Sequence, residues 1–214
     1  MKRSRAALLL AVVTSTLFTA ATAVLAALPP GHRVMVIFDV ERCLLRRPRL
    51  RKGEPFTPID GGLGGVRARS GEIVDLFPGA RETLKRLSSS SSFASMAAVS
   101  GTHRKSWLEE WSRTIAVEPG RSMEDLLGTP LIADGPKTMH VQKVLEMEKA
   151  SQQQRQQPPL EVHDVLYFDD RASDVKAVEC LGATAVHCPG GLTLERFEDG
   201  LQRHCTRVME RARV

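Results

Sequence analysis

Short unbroken apolar runs alternate with amphipathic stretches from Val34 to the end of the chain. Residues 34–38, 95–99, 165–168 and 183–187 are rich in β-branched and aromatic side chains, which suits strands buried on both faces. Between them, apolar residues recur at helical spacing. Ala80, Leu84 and Leu87 form one such stripe in residues 78–87, and Trp107, Leu108, Trp111 and Ile115 form another in 103–116. Val141, Val144 and Leu145 follow Gly135-Pro136-Lys137; Val175, Val178 and Leu181 predict a further helix, and Leu194, Phe197, Leu201 and Val208 a closing one. Leu131-Ile132 predicts one more short strand. Strands alternating with helices read as an α/β domain built on a mostly parallel sheet.

Four stretches depart from that rhythm. Residues 42–75 are too long for an ordinary strand-to-helix loop. Within them, Val66-Arg-Ala-Arg and Glu72-Ile-Val flank Ser70-Gly71 and predict a β-hairpin, so residues of about 44–75 are expected to form a small lid insertion. Gly61 to Gly65 does not open a helix and has no phosphate-loop pattern. Ser88 to Ser92 and the Gln-rich residues 151–159 read as solvated loops. The fourth is at the start. Lys2, Arg3 and Arg5 precede an uncharged stretch from Ala6 to Leu28, closed by Pro29-Pro30-Gly31. Residues 1–28 are therefore expected to be a secretory signal peptide or a signal anchor, with the folded domain in 29–214. The expected location is the secretory pathway or a membrane held through this segment, or an organelle reached by targeting.

The chain has 214 residues, 42% of them hydrophobic and 26% charged, enough for one domain with a sizeable core. Much of its net charge of +5 sits in the first five residues and in Arg42 to Lys52. Only 5% of residues are aromatic, so the interleaved rings of a nucleic-acid surface are missing and no nucleic-acid partner is expected. Basic charge beside carboxylates attracts an anionic substrate equally well, and Arg46, Arg47, Arg49 and Arg51 either face a phosphate or lie solvated. Cys43, Cys180, Cys188 and Cys205 have no CxxC spacing and indicate neither a zinc site nor a disulfide framework.

Ligands of open α/β sheets bind outside the carboxyl ends of the strands. There the chain places Asp39 and Glu41 after the first strand, Ser100-Gly101 after the second, and Asp169-Asp170 after residues 165–168, with Asp174 four residues on. Adjacent carboxylates at a buried strand end repel one another, and a bound cation relieves that repulsion; pairing with Arg171 is the plain alternative. Lys137 opens a helix at the positive end of its macrodipole, a placement that an anion nearby would make favourable.

In chain order, with Lys137 ahead of Asp169-Asp170, the four groups resemble the four motifs of the haloacid dehalogenase-like phosphohydrolases. Within that superfamily the chain is similar to the magnesium-dependent phosphatase type 1 family. The likeness runs from about Arg33 to about His204 and includes Leu76-Phe-Pro, Ala97-Ala-Val-Ser100-Gly-Thr, Gly135-Pro-Lys137, Tyr167-Phe-Asp-Asp170, Leu181-Gly-Ala-Thr and Gly190-Gly-Leu-Thr. It implies a Rossmann-like three-layer sandwich and a phosphatase using Mg²⁺, with Asp39 as nucleophile and Glu41 as general acid. It further implies that Ser100, Gly101 and Lys137 bind the phosphoryl group. Asp39, the carbonyl of Glu41 and Asp170 would hold the metal, with Asp169 and Asp174 in support. Expected substrates are phosphotyrosine, in a small molecule or a phosphoprotein, and sugar phosphates; a monomer is expected. The chain departs from the pattern in having Glu41 for a second aspartate, Cys43 for a threonine, and Gly101 where a side chain is usual. Glu41 and Cys43 motivate the alternative of an impaired pseudophosphatase that binds phosphorylated ligands or a partner protein. A receiver domain is excluded, because its paired acids precede the phosphorylated aspartate and here they follow it.

Overall fold

The computed structural model describes residues 32–46, 55–59, 64–90 and 93–213. The expected targeting segment, residues 1–28, lies outside them, as do Arg47, Arg49, Arg51 and Gly61 to Leu63. In chain order, β1 (Val34–Asp39) is followed by β2 (Leu45–Arg46), β3 (Phe56–Pro58), β4 (Val66–Ala68) and β5 (Ile73–Leu76). Next come α1 (Pro78–Ser88), β6 (Phe93–Ser100), α2 (Lys105–Thr114), β7 (Ala116–Glu118), β8 (Arg121–Ser122), α3 (Met123–Leu127) and β9 (Leu131–Ile132). The chain ends with α4 (Lys137–Gln154), β10 (Val165–Asp169), α5 (Ala172–Cys180), β11 (Thr184–His187) and α6 (Leu194–Arg211).

Five strands form one parallel sheet in the order β11-β10-β1-β6-β9. β1 lies in the middle and is buried along its whole length, which is why it is written as a continuous apolar run. Successive side chains of a strand point to opposite faces. Accordingly Val34, Val36 and Phe38 pack with residues of α1, α2, α3 and α6, whereas Met35 and Ile37 pack with residues of α4 and α5. The result is a three-layer α/β sandwich of the Rossmann-like kind. Phe38 stacks on Phe168 at 5.4 Å between ring centres, and Phe168 meets Phe197 of α6 at 5.8 Å. From β1 the chain builds outward to β6 and β9, then returns to place β10 on the other side of β1. The order reverses between β1 and β10, and a crevice at their carboxyl ends follows from that reversal.

The expected hairpin is present within a second, antiparallel sheet of order β2-β5-β4-β3. Its turn closes through Ala68 N–H to the Glu72 carbonyl at 2.8 Å, and Gly71 supplies the left-handed residue at φ 91°. Phe56 sets its edge on Trp107 and Trp111, with ring centres 5.3 and 5.4 Å away. Val66, Ala68, Val74 and Leu76 share one core with Leu108 and Trp111. The described part of the insertion is thus fastened to α2 by its apolar face.

Two expectations need correction. The helix placed at 103–116 begins only at Lys105 and ends at Thr114. The loop placed at 151–159 is shorter, because α4 continues to Gln154. Gln152 is fully buried: its side-chain carbonyl accepts from Leu160 N–H at 2.8 Å and its amide donates to Glu148 at 3.0 Å. Residues 117–127, for which the pattern gave no element, form with Ala116 the β7–β8 hairpin and α3, which Ser122 and Asp125 start with a capping box. No helix of the described residues is long and apolar enough to cross a membrane.

Candidate active site

Asp39 is the last residue of β1, Ser100 of β6 and Asp169 of β10; Lys137 is the first of α4. The parallel register puts these ends side by side: Asp39 is opposite Val99, and Phe38 is opposite Phe168. A cavity of about 330 Å³ opens there. Asp39, Ser100, Lys137 and Asp170 line it, together with Glu41 and Asp174. Gly101 and Gly135 complete its wall, and Arg42 and Arg171 stand beside the acids they follow in the chain. Of the expected site residues, only Asp169 lies outside the lining, buried behind Asp170. Arg46 is exposed and takes no part.

Lys137 Nζ donates a hydrogen bond to Asp39 Oδ1, and both side chains are buried. Gly135, at φ 111°, takes a left-handed turn that brings the start of α4 to the cavity. The two charges offset one another only in part. Burial pushes the Asp39 carboxyl up to about 7; Lys137 holds it down, and Asp169 and Asp170 add to the rise. A buried carboxylate in such company is stabilised by further positive charge.

Carboxylate oxygens of Asp39, Asp169 and Asp170 lie within 4.8 Å of one another. Hard oxygen donors gathered at this spacing fit a small divalent cation that keeps part of its water shell. The three residues differ in what else they do. Asp169 is fully buried, with Oδ2 accepting from the Tyr167 hydroxyl and Oδ1 from Arg171 N–H at 2.9 Å. Both of its oxygens are engaged, so it is suited to positioning. Asp170 faces the cavity, and its carbonyl takes a 3.0 Å hydrogen bond with His187 Nε2. Of the two, Asp170 is the one that could meet an ion in the cavity directly.

Ser100 is buried, and its Oγ accepts from Thr102 N–H at 3.2 Å, which leaves the hydroxyl proton to donate. At Gly101 a Cβ would meet only the Ala133 carbonyl, 4.0 Å away, so the space of the missing side chain adjoins the cavity. Cys43 is fully buried. Burial, with a hydrogen bond to Cys188 as a second cause, pushes its thiol well above the usual range. Cys43 thus fills the place of a hydroxyl as an un-ionised packing residue. Its carbonyl accepts from Leu192 N–H at 2.9 Å, and Cys188 N–H donates to the Asp169 carbonyl at 2.8 Å. The loop after β11 is thereby tied to both acidic strand ends.

Sequence reasoning missed the lining role of Arg42 and the Tyr167–Asp169 bond. The second had a signal, since residues two apart on a strand share a face. A family model described as acid phosphatase matches residues 33–207. No curated protein matches the chain.

Proposed function

The chain belongs to the acid phosphatase family, whose members are haloacid dehalogenase-like phosphohydrolases, and from that premise we propose a Mg²⁺-dependent hydrolase of phosphate monoesters working through Asp39. The observation that carries this reading is the buried Lys137–Asp39 pair beside a cluster of three carboxylates on one cavity wall. Uncatalysed monoester hydrolysis is extremely slow, so a site must supply both a nucleophile and charge. Asp39 attacks phosphorus while the bond to the leaving oxygen breaks, giving an aspartyl phosphate and splitting one displacement into two. Glu41 gives its proton to the leaving oxygen, then takes one from the water that attacks the aspartyl phosphate. That second displacement frees inorganic phosphate and regenerates Asp39. Ser100 Oγ and the Gly101 N–H donate to the phosphoryl oxygens, and Lys137 balances their charge. Asp39, the Glu41 carbonyl and Asp170 would hold Mg²⁺, with Asp169 and Asp174 in support; when bound, the ion supplies Lewis-acid charge to the phosphoryl oxygens.

The test is release of p-nitrophenol from p-nitrophenyl phosphate by the wild-type protein and by Asp39→Asn. Turnover should require Mg²⁺, stop with a chelator and vanish in Asp39→Asn, because an amide is not a nucleophile. Undiminished turnover in Asp39→Asn would overturn the assignment. Absence of turnover in the wild type would favour a protein that binds phosphorylated ligands without hydrolysing them.

A further inference from the structure

The geometry points to a second anion-binding position at the mouth of the cavity, formed by Arg42 and Arg171, that selects phosphate monoesters carrying another negatively charged group. It rests on the hydrolytic reading of the same site and narrows its substrate class. β1 and β10 are neighbours in the sheet, and each arginine directly follows an acid of the site, Glu41 or Asp170. Both residues therefore line the cavity from adjacent strand ends.

Among the described residues, neither arginine is consumed elsewhere. Arg42 is exposed, and its side chain makes no hydrogen bond or ion pair among the described residues. Its backbone sits at φ 67°, where a glycine would be unstrained and a long side chain is not. Arg171 is 72% exposed, and its one ion pair, to Asp174, spans 3.7 Å, a separation at which an exposed pair holds little. Lys137 cannot serve a second anion, because it is buried against Asp39. A guanidinium fork matches a carboxylate or phosphate through two parallel hydrogen bonds.

The lining argues in the same direction. Every described residue of the cavity wall is charged, a serine or a glycine. Pockets for aryl groups are lined chiefly by apolar and aromatic side chains, and the described residues of this wall offer a phenyl ring none to pack on. Of the two expected substrate classes, the wall suits a small polar, multiply charged ester better than phosphotyrosine.

Two primary alkyl phosphates decide it: 3-phosphoglycerate and glycerol 3-phosphate, which differ by a carboxylate in place of a hydroxymethyl group. The ratio of their kcat/KM values is measured for the wild type and for the double variant Arg42→Gln/Arg171→Gln, with single Arg171→Gln as a control for folding. The same pair is titrated calorimetrically into Asp39→Asn protein with Mg²⁺, which reads the preference without turnover. The wild type should favour 3-phosphoglycerate by about tenfold or more, the value of a charge-assisted hydrogen bond. The double variant should bring the ratio near one, and Arg171→Gln alone should lower it. A ratio near one in the wild type, or one unchanged in the variants, overturns the subsite even if p-nitrophenyl phosphate is hydrolysed. A calorimetric preference without any turnover would instead keep the subsite and remove the hydrolytic reading.

Discussion

Glu41 carries one methylene more than the aspartate that its place in the resemblance leads one to expect, and the leaving group feels that difference first. It lines the cavity next to Asp39, so its carboxyl is at hand, but a shift of about 1 Å in a catalytic group can cost on the order of 10²-fold. p-Nitrophenolate leaves with little help from an acid, whereas an alkoxide needs a proton. Glu41→Asp should therefore raise kcat/KM for an alkyl phosphate more than for p-nitrophenyl phosphate. Equal effects on both substrates, measured side by side, would remove Glu41 as the acid. That Asp39, Ser100 and Asp169-Asp170 lie at one sheet edge was legible in the sequence because a buried strand announces itself and the run fixes its end; Lys137 was placed instead by the Gly135-Pro136 helix start. Cys188 beside Cys43 was not legible, since the contact depends on how the loop after β11 crosses a strand end far away in sequence.

The elements were legible where one face alone decides them. β1 and β10 are continuous apolar runs and were read correctly; α4 was cut short, because Gln152 looks solvated in sequence yet is buried and spends its amide on closing the following loop. Gly200 in α6 is a comparable case. Glycine weakens a helix by about 1 kcal/mol relative to alanine, so its presence needs a cause. A Cβ there would lie 2.6 Å from Val186 Cγ2 and 3.3 Å from the Phe168 ring, both part of the central sheet. Overpacking of this kind costs about 1–3 kcal/mol, more than the helix gains. Gly200→Ala should lower unfolding stability by up to about 2 kcal/mol in urea; a stabilised variant would show that α6 has room to move off the sheet.

At the opposite end of the sheet from the cavity, His204 couples stability to pH. It is fully buried, with Nδ1 3.1 Å from Thr184 Oγ1 and Nε2 without a partner among the described residues. Burial, helped by His32, Arg207 and Arg211, brings its pKa down to about 3. Below about 6.5 the unfolded chain takes up a proton that the folded chain refuses until near 3, so this term lowers stability as pH falls through that window. Asp39 acts oppositely in metal-free protein: its raised folded pKa favours the folded state in acid and loses that effect as pH rises towards 7. Comparing wild type with His204→Gln cancels Asp39. Wild type should lose about 1.4 kcal/mol per pH unit relative to the variant between pH 6 and 4; parallel curves would show that His204 does not carry the acid sensitivity.

The covalent role of Asp39 can be read chemically, apart from any rate. Wild-type protein is mixed with p-nitrophenyl phosphate and Mg²⁺, quenched in acid during turnover, treated with borohydride and digested, and the peptide spanning β1 is sequenced by mass spectrometry. An aspartyl phosphate is an acyl phosphate, which borohydride reduces to homoserine, whereas a free carboxylate survives. Homoserine at position 39, absent without substrate and absent in Asp39→Asn, is the expected result. An unmodified Asp39 in protein that is turning over substrate, or homoserine at another aspartate, would contradict the account.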